Sequence, residues 1–286
     1  MSDLGIGTPF TFPVTVRNVA PRIQSATVLD SLGHDLTSAA AFALPGQPVS
    51  LAADFTDPGV ADTQTGLVAW GDGATSSTFE TFTDAHGGAT GHLRQTHAFA
   101  VPGTYTITTT ITDDDGGATP VTRTIKVLSL KEALATVADQ LTQLIGTAAN
   151  ADIAAALQAA RDNLIGNHGG QPPTNGALDK LNANDPVSAI TKLQSAISFL
   201  DLAESSGAGD LTALKDMLGL IAQGIATDTY LKAKAAFPAP SAGQAKTLAT
   251  IAALLAQGHQ QLLAHQYPAA CDSLKQAANK ALGMLK

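Results

Sequence analysis

"GTYTITTTITDDDGG", residues 103–117, decides the fold of the first half of this 286-residue chain. Ile107, Thr109 and Ile111 alternate with Thr106, Thr108 and Thr110, so one face of the segment is partly apolar and the other wet, the period of a half-buried β-strand. Threonine and isoleucine branch at Cβ and suit a pleated backbone. The run stops at Asp113, Asp114 and Asp115, followed by Gly116 and Gly117, a turn composition. Those three carboxylates also pose the functional question. They could decorate a hairpin, do acid–base chemistry, or hold a cation.

Working outward, "PVSLAADF" (48–55), "GLVAW" (66–70) and "VTRTIKVL" (121–128) read as further strands separated by turn residues. Short strands at this spacing, with no helical period between them, predict an antiparallel β-sandwich. Trp70, the one tryptophan, ends an apolar run and is expected between the sheets. In "PGTYTI" (102–107) Tyr105 is placed to close a turn through its hydroxyl, a tyrosine-corner pattern, with Ile107 standing where antibodies carry a cysteine.

The pattern changes at Ser129. "SLKE" is a capping box, in which Ser129 accepts from the backbone three residues on and Glu132 reaches back. Behind it Leu130, Leu134, Val137, Leu141 and Leu144 recur at steps of three and four, the stripe of an amphipathic helix. Asp185-Pro186 offers an N-cap with proline at the first helical position, and "SAGQ" (241–244) repeats the capping-box logic. Helices are expected near 130–145, 150–165, 175–183, 186–204, 210–235, 243–264 and 268–285. The expected fold class is therefore a multidomain β + α chain, a β-sandwich over 20–128 followed by an all-α bundle over 129–286. Leu181, Ala189, Leu193 and Ala196 recur 81 positions later as Leu262, Ala270, Leu274 and Ala277. An internal repeat, 129–207 and 208–286, would produce this spacing.

The net charge of −8 is uneven. Residues 1–128 hold 5 Lys/Arg against 12 Asp/Glu, and residues 129–286 hold 11 against 12. An acidic first half repels phosphate backbones and attracts cations, so nucleic acid is not an expected partner. The single cysteine, Cys271, excludes an internal disulfide and Cys-rich zinc sites, and its Ala/Leu-rich surroundings predict a buried apolar role. No apolar run reaches the roughly 18 residues of a membrane span. The start, "MSDLGIGTPF", does not read as a signal peptide.

Catalytic patterns are missing. No Gly-x-Ser-x-Gly or His-Glu-x-x-His occurs, and three carboxylates on a Gly-Gly turn are solvated, whereas acid–base pairs need one member in an apolar pocket. The expectation is a chain that is not an enzyme.

"WGDG" (70–73), "HAFAVPGTYTITTTITDDDGG" (97–117) and "FTDPGVADTQTG" (55–66) together resemble the PKD family over roughly residues 20–128. The resemblance implies a seven-stranded immunoglobulin-like β-sandwich of extracellular proteins, arrayed on cell surfaces or appended to secreted hydrolases. "AWGDG" is shorter than the common "WDFGDG", and "TFETFTDAHGGATGHLRQ" (78–95) reads as an insertion. His97 resembles the family's structural histidine. Some relatives bind calcium where the chain enters the domain, combining the linker, an acidic loop after the second strand and the aspartate before the final turn. The matching positions here are Asp57, with Asp54 and Asp62 nearby, and Asp113 or Asp114. The first loop has "TDPGVAD" in place of an adjacent acidic pair. The candidate metal ligands are therefore Asp57, Asp62, Asp113 and Asp114, with calcium as the cofactor and a plain hairpin turn as the competing reading. The implied role is a non-catalytic structural or adhesion module of a cell-surface or fibre-forming protein, or else an accessory region of a secreted hydrolase. An extracellular place further implies that this chain is a fragment or processed form.

"FTFPVTV" (10–16) alternates Phe10, Phe12, Val14 and Val16 with Thr11, Pro13 and Thr15, another half-buried strand pattern. Residues 1–19 thus read as the end of a preceding module. Self-association by adding that strand to the sheet edge of another copy is the partner expectation.

Overall fold

The computed structural model describes residues 11–13, 15, 17–59, 62–78, 81–84, 88–169 and 173–286. The strand expected over 10–16 depends on Phe10, Val14 and Val16, which lie outside the described residues.

Among the described residues the first half carries eight strands: β1 (Arg22–Leu29), β2 (Pro48–Asp57), β3 (Gln64–Ala69), β4 (Thr75–Thr78), β5 (Thr81–Asp84), β6 (Gly88–Ala98), β7 (Gly103–Asp113) and β8 (Ala118–Val127). They form two four-stranded sheets, ordered β1-β2-β6-β5 and β4-β3-β7-β8, and every pairing within them is antiparallel. Period-two alternation is visible in β2 and β7, whose inward positions are buried and whose outward ones are more open. One core draws on both sheets: Val28, Val49, Leu51 and Ala53 from the first, Val68, Ile107, Ile111, Ile125 and Val127 from the second. Trp70 is fully buried there and donates from Nε1 to Ser76 Oγ at 2.9 Å.

The stretch 78–95 is part of a sheet. It contains β5 and most of β6, and β6 pairs along the whole of β2, from Pro48–Ala98 to Asp57–Ala89. Only Leu93 among Thr90–His97 is both apolar and deeply buried, so local sequence hides a strand that long-range pairing imposes.

"WGDG" makes a turn with Gly71 at φ 87° and Gly73 at φ 95°. A Cβ on Gly71 would stand 2.7 Å from the Thr106 carbonyl oxygen, so glycine is required both by conformation and by space. The Tyr105 hydroxyl donates to the Val101 carbonyl at 2.7 Å. His97 stacks on Trp70 with ring centroids 4.9 Å apart and pairs with Asp72 at 2.6 Å, the structural role expected of it.

Among the described residues seven helices follow: α1 (Leu130–Gly146), α2 (Ala151–Ile165), α3 (Ala177–Asn182), α4 (Pro186–Ser205), α5 (Thr212–Ala236), α6 (Ala242–Leu263) and α7 (Tyr267–Leu285). Both capping boxes form, Ser129 with Glu132 and Ser241 with Gln244, and Asp185 caps α4 through the Ser188 amide. Cys271 is fully buried, and burial pushes its thiol up to about 12. Backbone bonds around the α3–α4 turn (Asn184 N–H to Leu181 O, Asp185 N–H to Lys180 O) recur 81 positions later around the α6–α7 turn (His265 N–H to Leu262 O, Gln266 N–H to Gln261 O).

The halves share apolar contact. Phe42 and Leu44, from the β1–β2 connection, belong to the helical core. A Cβ on Gly224 of α5 would come within 2.9 Å of Leu44 Cδ1, so that glycine admits the leucine. Gln47 Nε2 donates to Leu220 O and Gln140 Nε2 to Ala40 O across the same junction. No helix among the described residues is long and apolar enough to cross a membrane.

Candidate metal centre

The strand ends bring the acidic positions together. Asp57 closes β2 in one sheet and Asp113 closes β7 in the other, while Asp62 lies in the loop leading to β3. Gln64, the first residue of β3, stands opposite Asp113 in the ladder. Asp57, Asp62 and Asp113 each offer a carboxylate oxygen within 4.8 Å of the other two. Asp57 is 1% and Asp113 5% exposed, so two of the three carboxylates are withdrawn from water.

Each buried carboxylate is partly satisfied by neutral donors. Asp57 accepts from the Gly59 amide at 3.1 Å and from Gln64 Nε2 at 2.9 Å. Asp113 accepts from the Gly117 amide at 2.6 Å and from Asn18 Nδ2 at 2.8 Å. Among the described residues no lysine or arginine forms an ion pair with any of the trio. Desolvation and the nearby charges of Asp57, Asp114, Asp115 and Asp113 push the Asp62 carboxyl above its ordinary 3.8. Gln64 is buried, and its Oε1 has no hydrogen-bond partner among the described residues.

Asp113 therefore serves both readings of "DDDGG". Its Oδ1 caps the Gly117 amide, and its backbone closes the β7–β8 hairpin through Gly117 O and Gly116 N. Gly116, at φ 89°, supplies the left-handed turn position. The same carboxylate faces Asp57 and Asp62 across the sheet ends. Asp114 is exposed beside the trio, its Oδ1 accepting from the Thr63 amide at 3.2 Å. Asp54 is not part of the group; it bonds Ser25, His92 and Arg94 along strands β1, β2 and β6, and these hydrogen bonds, His92 foremost, hold its carboxyl below the usual range.

Asn18 and Gln64 are members that sequence reading missed. Their amides carry no pattern, and Asn18 meets Asp113 across 95 positions of chain. Alternation could have placed Gln64 on an inward position, since Gly66 and Val68 follow it on the buried face of β3. Carboxylates and amide oxygens are hard ligands that suit calcium or magnesium, not zinc or copper.

No protein-family model matches this chain, and a comparison with curated proteins finds no match either.

Proposed function

We propose that residues 20–128 form a PKD-type, immunoglobulin-like sandwich that binds one calcium ion at its strand ends, within a non-catalytic structural or adhesive module of an extracellular or cell-surface protein. The observation that carries this reading is the convergence of Asp57, Asp62 and Asp113 within 4.8 Å. Three carboxylates with no ion-paired lysine or arginine among the described residues repel one another, and a divalent cation converts that repulsion into attraction. Asp57, Asp62 and Asp113 would hold the ion, with Asp114 in reach of the same loop. Calcium takes six to eight oxygens, some from water, and bound water offers the donors that Gln64 Oε1 lacks.

The sandwich assignment draws support from one core lined by both sheets, the buried Trp70 and the Tyr105–Val101 corner. Asn18 precedes β1 and bonds Asp113, so an ion here would fix the direction in which the chain enters the domain. That is useful to a spacer whose task is to hold neighbouring modules at a set angle.

The test is a thermal melt of the intact chain followed by Trp70 fluorescence. Calcium at millimolar concentration raises the midpoint and EDTA reverses the rise, because a ligand of the native state stabilises by mass action. An unchanged midpoint leaves Asp113 as a turn residue and removes the cation from the reading.

A further inference from the structure

His34, in the loop after β1, lies between two buried carboxylates from opposite halves of the molecule. Its Nδ1 is 3.0 Å from Asp30 Oδ2 and its Nε2 is 3.1 Å from Asp216 Oδ2 on α5. Asp30 is 9% exposed and Asp216 1%. A neutral imidazole carries one N–H, so it can donate to only one of these oxygens and must turn a lone pair on the other. The imidazolium donates to both.

The other partners of the two carboxylates meet their Oδ1 atoms, and His34 meets both Oδ2 atoms. Asp30 Oδ1 already accepts from the Leu32 and His34 amides. Asp216 Oδ1 takes the Tyr267 hydroxyl at 2.9 Å, with His265 Nδ1 at 2.8 Å from that hydroxyl and 3.3 Å from the carboxylate. Hydroxyl and carboxylate are thus joined in one network, and burial together with the Asp216 bond pushes the phenol up. Lys215, the residue before Asp216 on α5, is drawn to Asp201 and Glu204 of α4 at 3.1 and 2.7 Å and lies 5.6 Å from the centroid of the Tyr267 ring. Asp210, before α5, caps the Thr212 amide, and Asp35 holds Thr37. The His34 side chain is 38% exposed, so solvent can exchange its proton.

We propose that His34 is a proton-operated latch between the β-half and helix α5, closed as imidazolium and loosened as neutral imidazole. This goes beyond cation binding, because it concerns a different junction and a different ligand, the proton. Burial favours the neutral ring, but the bonds and charges of Asp30 and Asp216 outweigh it, and the His34 pKa lies above its ordinary 6.5. For a cationic group raised in this way, the stabilisation is full below 6.5 and is lost as pH rises through the folded-state value. The junction therefore loosens on the alkaline side.

Hydrogen exchange of the intact chain, corrected for intrinsic rates and run from about pH 6 to about pH 9, reads the latch. Amides of residues 30–36 and of the first turns of α5 lose about tenfold in protection across that range. His34→Asn abolishes the pH response, whereas His265→Asn retains it. A titration of the His34 ring by NMR in the unaltered chain gives a second reading that needs no variant to fold. A His34 midpoint at or below 6.5, or an undiminished pH response in His34→Asn, overturns the proposal.

Discussion

Asn184 and His265 adopt the same left-handed backbone, φ 55° and 53°, each in the turn between two helices. They are the non-glycine residues with positive φ among the described ones, and they stand 81 positions apart. The left-handed residue ends one helix and lets the chain start the next after three residues. Asparagine tolerates this region because its short polar side chain relieves the usual clash, and a β-branched residue does not. Asn184→Val should therefore cost about 1–2 kcal/mol, while Asn184→Gly should be close to neutral. Chemical denaturation followed at 222 nm separates the two variants.

Leu44 tests the shared junction. It is 1% exposed and sits in the helical core although it belongs to the β-half. Truncating a buried leucine to alanine costs about 2–5 kcal/mol. If the junction couples the halves, Leu44→Ala lowers the midpoint seen by Trp70 fluorescence and the midpoint seen by helical ellipticity together. A shift confined to one probe would mean that the halves unfold independently.

The capping box at the boundary has its own signature. Ser129→Ala removes the acceptor for the Glu132 amide and should cost about 1 kcal/mol. The Ser129 bond holds the Glu132 carboxyl below its ordinary 4.5. A depressed acid contributes stability that is present above pH 4.5 and fades as pH falls through its folded-state value. That contribution to the acid limb should vanish in Glu132→Gln, measured by the difference in midpoint between pH 7 and acid.

How much was legible in sequence differs between the halves. The seven helices begin and end within two residues of expectation, because helix stops and starts are local chemistry: Ser129, Asp185 and Ser241 cap amides three residues away. Strands β2, β3, β7 and β8 were visible through alternation. Strands β5 and β6 were not, since glycine and polar residues dominate them, and the pairing of β6 to β2 and of β5 to β6 is what makes them strands. Among the described residues eight strands consequently stand where the resemblance implied seven. At the acidic site the aspartates were foreseeable, but Asn18 and Gln64 were not. His34 and Asp216 meet across 182 positions and could be found only in three dimensions.

Asp62 should behave as a strained member of its cluster. Its carboxyl lies above the ordinary 3.8, so in the absence of a cation its ionisation opposes folding. The sign is the reverse of that for Glu132: stability attributable to Asp62 is highest in acid and falls as pH rises through the folded-state value. Asp62→Asn should raise the calcium-free midpoint near neutral pH and reduce the response to calcium. A lowered calcium-free midpoint would mean that the carboxylate makes a favourable bond instead.

Calcium titration by calorimetry, on the intact chain and on Asp57→Asn and Asp113→Asn with circular dichroism confirming that each variant is folded, tests the cation reading most directly. Expected is saturable binding of one ion per chain, lost in both variants. No saturable heat at millimolar calcium, or binding that persists unchanged when Asp57 and Asp113 are replaced, would contradict it.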